Sequence, residues 1–150
     1  MTQLFADPST LTHEQRDEGS ILAPRFDANG TVMAITMEAG TNELLMVGVM
    51  NAEALRQTIE TGYVHYWSRS RGRLWKKGET SGELQRVVEI RVDCDQDAIQ
   101  ILAEQTGRGA ACHTGRKTCF YRRVVVADGE ATLADTGLPR LFDPRDVYRP

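Results

Sequence analysis

Apolar residues fall in short runs along this chain, and the period of the runs changes. Residues 31–37 (TVMAITM) and 44–50 (LLMVGVM) are two apolar stretches with turn residues before and between them, which predicts two strands. Asn29-Gly30, ahead of the first, is a hairpin-type turn signal. Asn51 is placed to cap a helix over residues 52–60 (AEALRQTIE), where Leu55 and Ile59 lie four apart, and Gly62 is placed to end it. YVHYW, residues 63–67, is rich in β-formers, and residues 68–83 read as a polar, glycine-containing loop. In residues 84–95 (LQRVVEIRVDCD) the period becomes two. Val88, Ile90, Val92 and Cys94 are predicted on one face, with Glu89, Arg91, Asp93 and Asp95 on the other. AIQILAEQ (98–105) suits a strand better than a short helix, 106–118 reads as loop, and CFYRRVVV (119–126) as a strand. The fold class expected is α+β, mainly β, in a single small domain over 21–126. A loose or helical N-terminal extension (1–20) precedes it and a tail (127–150) follows, irregular from 136 where three prolines occur. No internal repeat or low-complexity linker interrupts the pattern.

Charge narrows the partners. A net charge of -3 and a pI near 5.6 argue against general nucleic-acid binding, which needs a basic surface. No apolar run approaches the roughly 20 residues of a membrane span, and the start lacks a basic-then-apolar leader, so a cytoplasmic protein is expected.

The candidate chemistry is a thiol among carboxylates. In RVDCDQDAIQ, Asp93, Asp95 and Asp97 alternate around Cys94. Soft thiolates suit Zn²⁺ and hard carboxylates suit Mg²⁺ or Ca²⁺. Three cysteines, Cys94, Cys112 and Cys119, form a poor disulfide framework and have no Cys-x-x-Cys clamp. They read either as three unrelated buried thiols or as an open metal site that keeps a position for water. His113, beside Cys112, would face away from a metal held by its neighbour, so a proton-transfer role suits it better than ligation. Asp93, Asp95, Asp97 and Glu104 match the spacing of an EF-hand loop, but Ala98 stands where glycine is required and a strand-like segment precedes it. The bland alternative is a solvated acidic strand end, although three like charges this close repel unless a cation neutralises them. Loop 68–83 carries Arg69, Arg71, Arg73, Lys76 and Lys77 around Trp75, with Trp67 just before it. Guanidinium forks and ammonium groups suit phosphate and an indole suits a base, though a lone charge run is commonly a solvated face. His65, within β-formers, reads as a satisfied core histidine, and His13 receives no role.

VMNAEAL, HYWSRSRGRLWKKGETSG, EIRVDCDQDA and GAACHTGRKTCFYRR, in that order over residues 44–123, resemble the phosphoribosyl-AMP cyclohydrolase family of histidine biosynthesis, in its monofunctional form. Val49 stands where the family's motif has an aromatic. The resemblance implies Zn²⁺ on Cys94, Cys112 and Cys119, one ion per subunit. It implies Mg²⁺ on Asp93, Asp95 and Asp97. It also implies an intertwined homodimer in which Cys94 of one subunit meets Cys112 and Cys119 of the other. The activity implied is hydrolytic opening of the adenine ring of N1-(5-phosphoribosyl)-AMP at the C6–N1 bond, the third step of the pathway. His113, and His65 after it, are the histidines expected to move the proton. Arg69, Arg71, Arg73, Trp75, Lys76, Lys77 and Arg116 are the expected substrate-binding residues. Arg116 and Lys117 are further expected to offset the negative charge of three thiolates on one Zn²⁺. The competing class is a zinc-stabilised nucleotide- or RNA-binding module without catalysis.

Overall fold

A computed structural model describes residues 4–148, so residues 1–3 of the extension and 149–150 of the tail lie outside the described residues. Eight strands and three short helices form a small domain that is mainly β. The main sheet has the order β2-β1-β6-β5, built from β1 (Thr31–Glu38), β2 (Leu44–Asn51), β5 (Gln85–Val92) and β6 (Ala98–Gln105). β1 pairs antiparallel with β2 and parallel with β6, and β6 pairs antiparallel with β5. The alternation of β1 and β6 sends Val32, Ala34, Thr36, Ile99, Ile101 and Ala103 to one side, where all are buried. Helix α2 (Ala52–Thr61) covers that side with Ala54 and Leu55. Its caps are the expected ones: Asn51 accepts from Ala54 N at 2.8 Å, and Gly62 ends it in the left-handed region.

Beside α2 lies a hairpin of β3 (His65–Ser68) and β4 (Arg73–Lys76). Tyr66 is its anchor, 1% exposed, with its hydroxyl tied to Thr36 and Gln85. β4 corrects the expectation of an unbroken loop over 68–83: four residues of the basic run pair back on His65–Ser68, because Leu74 and Trp75 pack against the core. Asn29-Gly30 makes a tight turn that feeds β1 but joins no ladder, and the β1–β2 connection falls at 39–43 instead.

The alternation predicted through residue 95 also fails in two places. A bulge between Val87 and Glu89 turns Val88 outward, so that Val87 and Ile90 pack inward. The strand then stops at Val92, and Cys94 sits in the β5–β6 turn, so no strand face separates it from the carboxylates. In place of a strand over 119–126, β7 (Arg122–Ala127) starts three residues later and pairs with β8 (Glu130–Asp135), a strand inside the expected tail. Val124, Val126 and Leu133 on this hairpin are exposed, as are Met33, Val47 and Val92 on the main sheet.

The described parts of the extension and the tail both pack onto the domain. In the extension, a 3-10 turn (Pro8–Thr10) and helix α1 (His13–Glu18) lead to a strap against the β5–β6 turn. In the tail, Phe142 is buried and stacks on the Arg108 guanidinium, ahead of α3 (Pro144–Val147).

Candidate active site

Residues 106–121 carry two of the three thiols. Glu83 organises their approach. Its carboxylate is 1% exposed and accepts from the backbone N–H groups of Arg108, Gly109 and Ala110 and from Arg108 Nε. Burial alone would raise its pKa, yet these donors hold it below the usual glutamate range. The chain then folds on itself: Ala111 N donates to Lys117 O, Cys112 N to Arg116 O, and Gly115 N to Cys112 O. Gly115 has φ +90, and an added Cβ would lie 2.2 Å from the Phe142 carbonyl oxygen. Beyond the turn, Cys119 N donates to Leu45 O at 2.8 Å and Thr118 Oγ1 donates to Leu44 O, which pins the thiol-bearing loop to the start of β2.

Cys112 and Cys119 meet with their thiols in hydrogen-bond contact. That bond, with the Thr114 hydroxyl donating at 3.1 Å, brings the Cys112 thiol down to about 5 and pushes Cys119 up. Of the two sulfurs, Cys112 is therefore the one that loses its proton more readily. Lys77 is the cation beside them. It is 6% exposed, and while burial pushes its pKa down, the two thiols and Glu83 act against that shift. Arg116 and Lys117, expected to offset thiolate charge, are engaged elsewhere. Arg116 stacks on Tyr121 at 4.1 Å, while Lys117 reaches Glu43 at 2.7 Å and Glu38 at 3.1 Å.

A cavity of about 490 Å³ opens at Cys119, a size suited to a small ligand. His113 and Cys119 line it together with Arg71, Arg73, Lys76 and Lys77. Trp75, which stacks on Tyr66 with ring centroids 5.1 Å apart, and Tyr148 of the tail also line it. Arg69, Trp67 and Arg116 are not part of this lining. His65 is in the core, 8% exposed, with Nδ1 donating to the Tyr63 carbonyl at 2.8 Å.

Cys94 is elsewhere. Ala98, which opens β6, is level with Met33 on β1 and so with Val49 on β2, whereas Cys119 is attached at Leu45, towards the other end of β2. Strand geometry makes that separation roughly 15 Å or more within one chain. Around Cys94, the carboxylates of Asp93, Asp95 and Asp97 converge, with one oxygen of each within 4.8 Å of the others. Asp93 Oδ1 accepts from the N–H groups of Asp97 and Ala98, which holds Asp93 low, and its proximity with Asp95 pushes Asp97 up. Two separate candidate ligand groups result: a pair of soft sulfurs, and a carboxylate trio of the hard-oxygen kind that Mg²⁺ prefers. Glu104, the last position of the EF-hand spacing, instead pairs with Arg86 across the sheet.

Three features had no separate signal in the sequence. These are the Glu83 clamp, the burial of Lys77 against the thiols, and Gln96. Gln96 is a 3% exposed side chain in the left-handed region at φ +58. Polar residues in turns read as solvated, and only the packing of distant segments buries these three.

No helix among the described residues is long and apolar enough to cross a membrane. The family model for phosphoribosyl-AMP cyclohydrolase matches residues 46–121. The phosphoribosyl-AMP cyclohydrolase of Rhodopseudomonas palustris (strain BisB18) is 59% identical over 134 residues, covering 89% of this chain and 90% of that protein. That of Rhizobium leguminosarum bv. trifolii (strain WSM2304) is 54% identical over 149 residues, 99% of each chain. That of Nitrobacter hamburgensis is 55% identical over 142 residues, 94% of this chain and 95% of that protein. The match runs through the thiol pair, the basic hairpin and the aspartate turn, and with it the chain belongs to the phosphoribosyl-AMP cyclohydrolase family.

Proposed function

We propose that the chain opens the adenine ring of N1-(5-phosphoribosyl)-AMP in histidine biosynthesis by hydrolysing its C6–N1 bond, in a homodimer that completes each active site with Cys94 from the partner subunit. The observation that carries this reading is the Cys112–Cys119 sulfur pair, of which Cys119 lines a cavity shared with His113 and a basic hairpin.

The donor chemistry fits zinc. Cys112 and Cys119 supply two soft ligands already in contact, and a third thiolate from Cys94 would leave one position for water. Zinc, when bound, supplies the Lewis acidity that makes water a nucleophile near neutral pH. The remaining steps belong to side chains. Lys77 offsets the negative charge of the sulfurs from the buried side. His113 takes the proton from the attacking water and returns it to the departing N1. Arg71 and Arg73 bind a phosphate with their forked donors, and Trp75 lies flat along the base. Asp93, Asp95 and Asp97 hold Mg²⁺ near a second part of the substrate.

Two features support the dimer. The chain's own fold keeps Cys94 far from its pair, and the β7–β8 hairpin and the sheet's outer face leave Val124, Val126, Leu133 and Met33 uncovered. A hairpin of two strands is marginal alone and gains from a covering surface.

The test is to add N1-(5-phosphoribosyl)-AMP and Mg²⁺ to the zinc-loaded protein and follow the ultraviolet spectrum. Ring opening changes the chromophore at a rate proportional to enzyme. A zinc-stabilised nucleotide-binding module would bind the substrate and leave the spectrum unchanged.

A further inference from the structure

The N-terminal segment folds over the aspartate turn and is fastened by one side chain. Gln96 Oε1 accepts from Ala23 N at 2.8 Å, while Nε2 donates to Arg16 O at 3.0 Å and Ile21 O at 3.1 Å. Its backbone carbonyl accepts from Arg25 N at 2.7 Å. The same residue that bends the metal turn through a left-handed position thus fixes where Arg16 and Arg25 stand.

Those arginines border a second cavity, of about 320 Å³, together with Ser9, Thr12, His13 and Phe26. Arg16 keeps its Nη groups without a protein acceptor among the described residues, because its pair with Asp17 at 2.6 Å engages only Nε. Arg25 reaches the Asp95 carboxylate at 3.7 Å, a loose contact that leaves most of its fork open. Because Arg25 both lines the cavity and contacts Asp95, the cavity adjoins the aspartate turn.

Mg²⁺ is ordinarily held by one or two carboxylates together with phosphate oxygens, because it keeps a strict octahedral shell and needs few protein ligands. Carboxylates for the ion and guanidinium forks for the phosphate therefore lie side by side here. The proposed substrate carries two phosphate monoesters, and the Arg71–Arg73 hairpin provides for one.

We infer that the cavity formed by His13, Arg16 and Arg25 is a second phosphate subsite, which takes the other monoester of the substrate alongside the Mg²⁺ on the aspartate turn. The inference rests on the substrate reading above. It makes the extension a working part of the active centre, presented to the partner's thiol pair together with Cys94.

The test uses the full-length, zinc-loaded protein with Mn²⁺ in place of Mg²⁺ and inorganic phosphate as the probe. Phosphate in the cavity lies beside the paramagnetic ion, and its ³¹P relaxation is enhanced. Arg16→Ala with Arg25→Ala weakens phosphate binding about 10- to 100-fold by this readout, the loss expected for charge-assisted hydrogen bonds. The same pair of changes lowers kcat/KM by a similar factor, and the Arg16→Lys with Arg25→Lys protein recovers part of both. If the double alanine protein does not fold, Arg25→Ala alone, at an exposed position, carries the test. Equal phosphate affinity and equal kcat/KM in wild type and the alanine variants would overturn the inference. A wild-type protein that leaves N1-(5-phosphoribosyl)-AMP unchanged would instead sink the substrate reading, while the ³¹P comparison still decides whether the cavity binds phosphate.

Discussion

Glu83 is almost wholly buried and still ionised, because four N–H donors converge on it. A carboxyl held below its ordinary pKa stabilises the fold above the ordinary value, near 4.3, and that contribution fades as pH falls through the depressed folded value. Glu83→Gln, which turns an acceptor into a donor facing N–H groups, is expected to cost about 2–4 kcal/mol at pH 7. Urea unfolding should show the gap to wild type narrowing below about pH 4.5; a gap independent of pH would mean that ionisation plays no part. At the thiol turn, Cys112→Ser should abolish zinc binding and turnover together, by metal analysis and rate. Keeping zinc while losing turnover by a factor of about 10²–10⁴ is the expected outcome for His113→Ala. A His113→Ala rate near wild type would assign the proton to another group.

Elements were legible in the sequence where one period and one cap agreed. Helix α2 formed between Asn51 and Gly62 as its signals require, and β6 alternated as a strand. Legibility failed where tertiary packing overrode the local pattern. The Val87–Glu89 bulge put Val87 in place of Val88 on the inward face of β5 while Ile90 stayed there, and Trp75 drew four residues of a charged loop into β4. The candidate ligands were named from the sequence, but the distance of Cys94 from the other two thiols followed only from the family resemblance, since strand order sets it and no local pattern records that order. Gly115 shows the same limit: its need for a left-handed backbone beneath Phe142 depends on a tail that reads as irregular. Gly115→Ala forces its Cβ onto a backbone oxygen, so it should destabilise by about 2 kcal/mol or more. It should also weaken zinc binding, since the turn it closes carries Cys112; competition with a chromogenic chelator checks this.

At the scale of the molecule, one chain carries the sulfur pair and the aspartate trio towards opposite ends of one sheet. A shared zinc would tie subunits together, so stripping it with a chelator should weaken association in sedimentation or mass photometry, and restoring zinc should reverse this. A dimer indifferent to chelator would remove zinc from the interface. The most direct measurement mixes two dead variants, Cys94→Ser and Cys112→Ser, by co-expression. Pairing of Cys94 from one subunit with Cys112 and Cys119 from the other rebuilds one whole site in each mixed dimer, and random pairing returns about a quarter of wild-type zinc and activity. A mixture as inactive and metal-free as its parents would contradict the shared site.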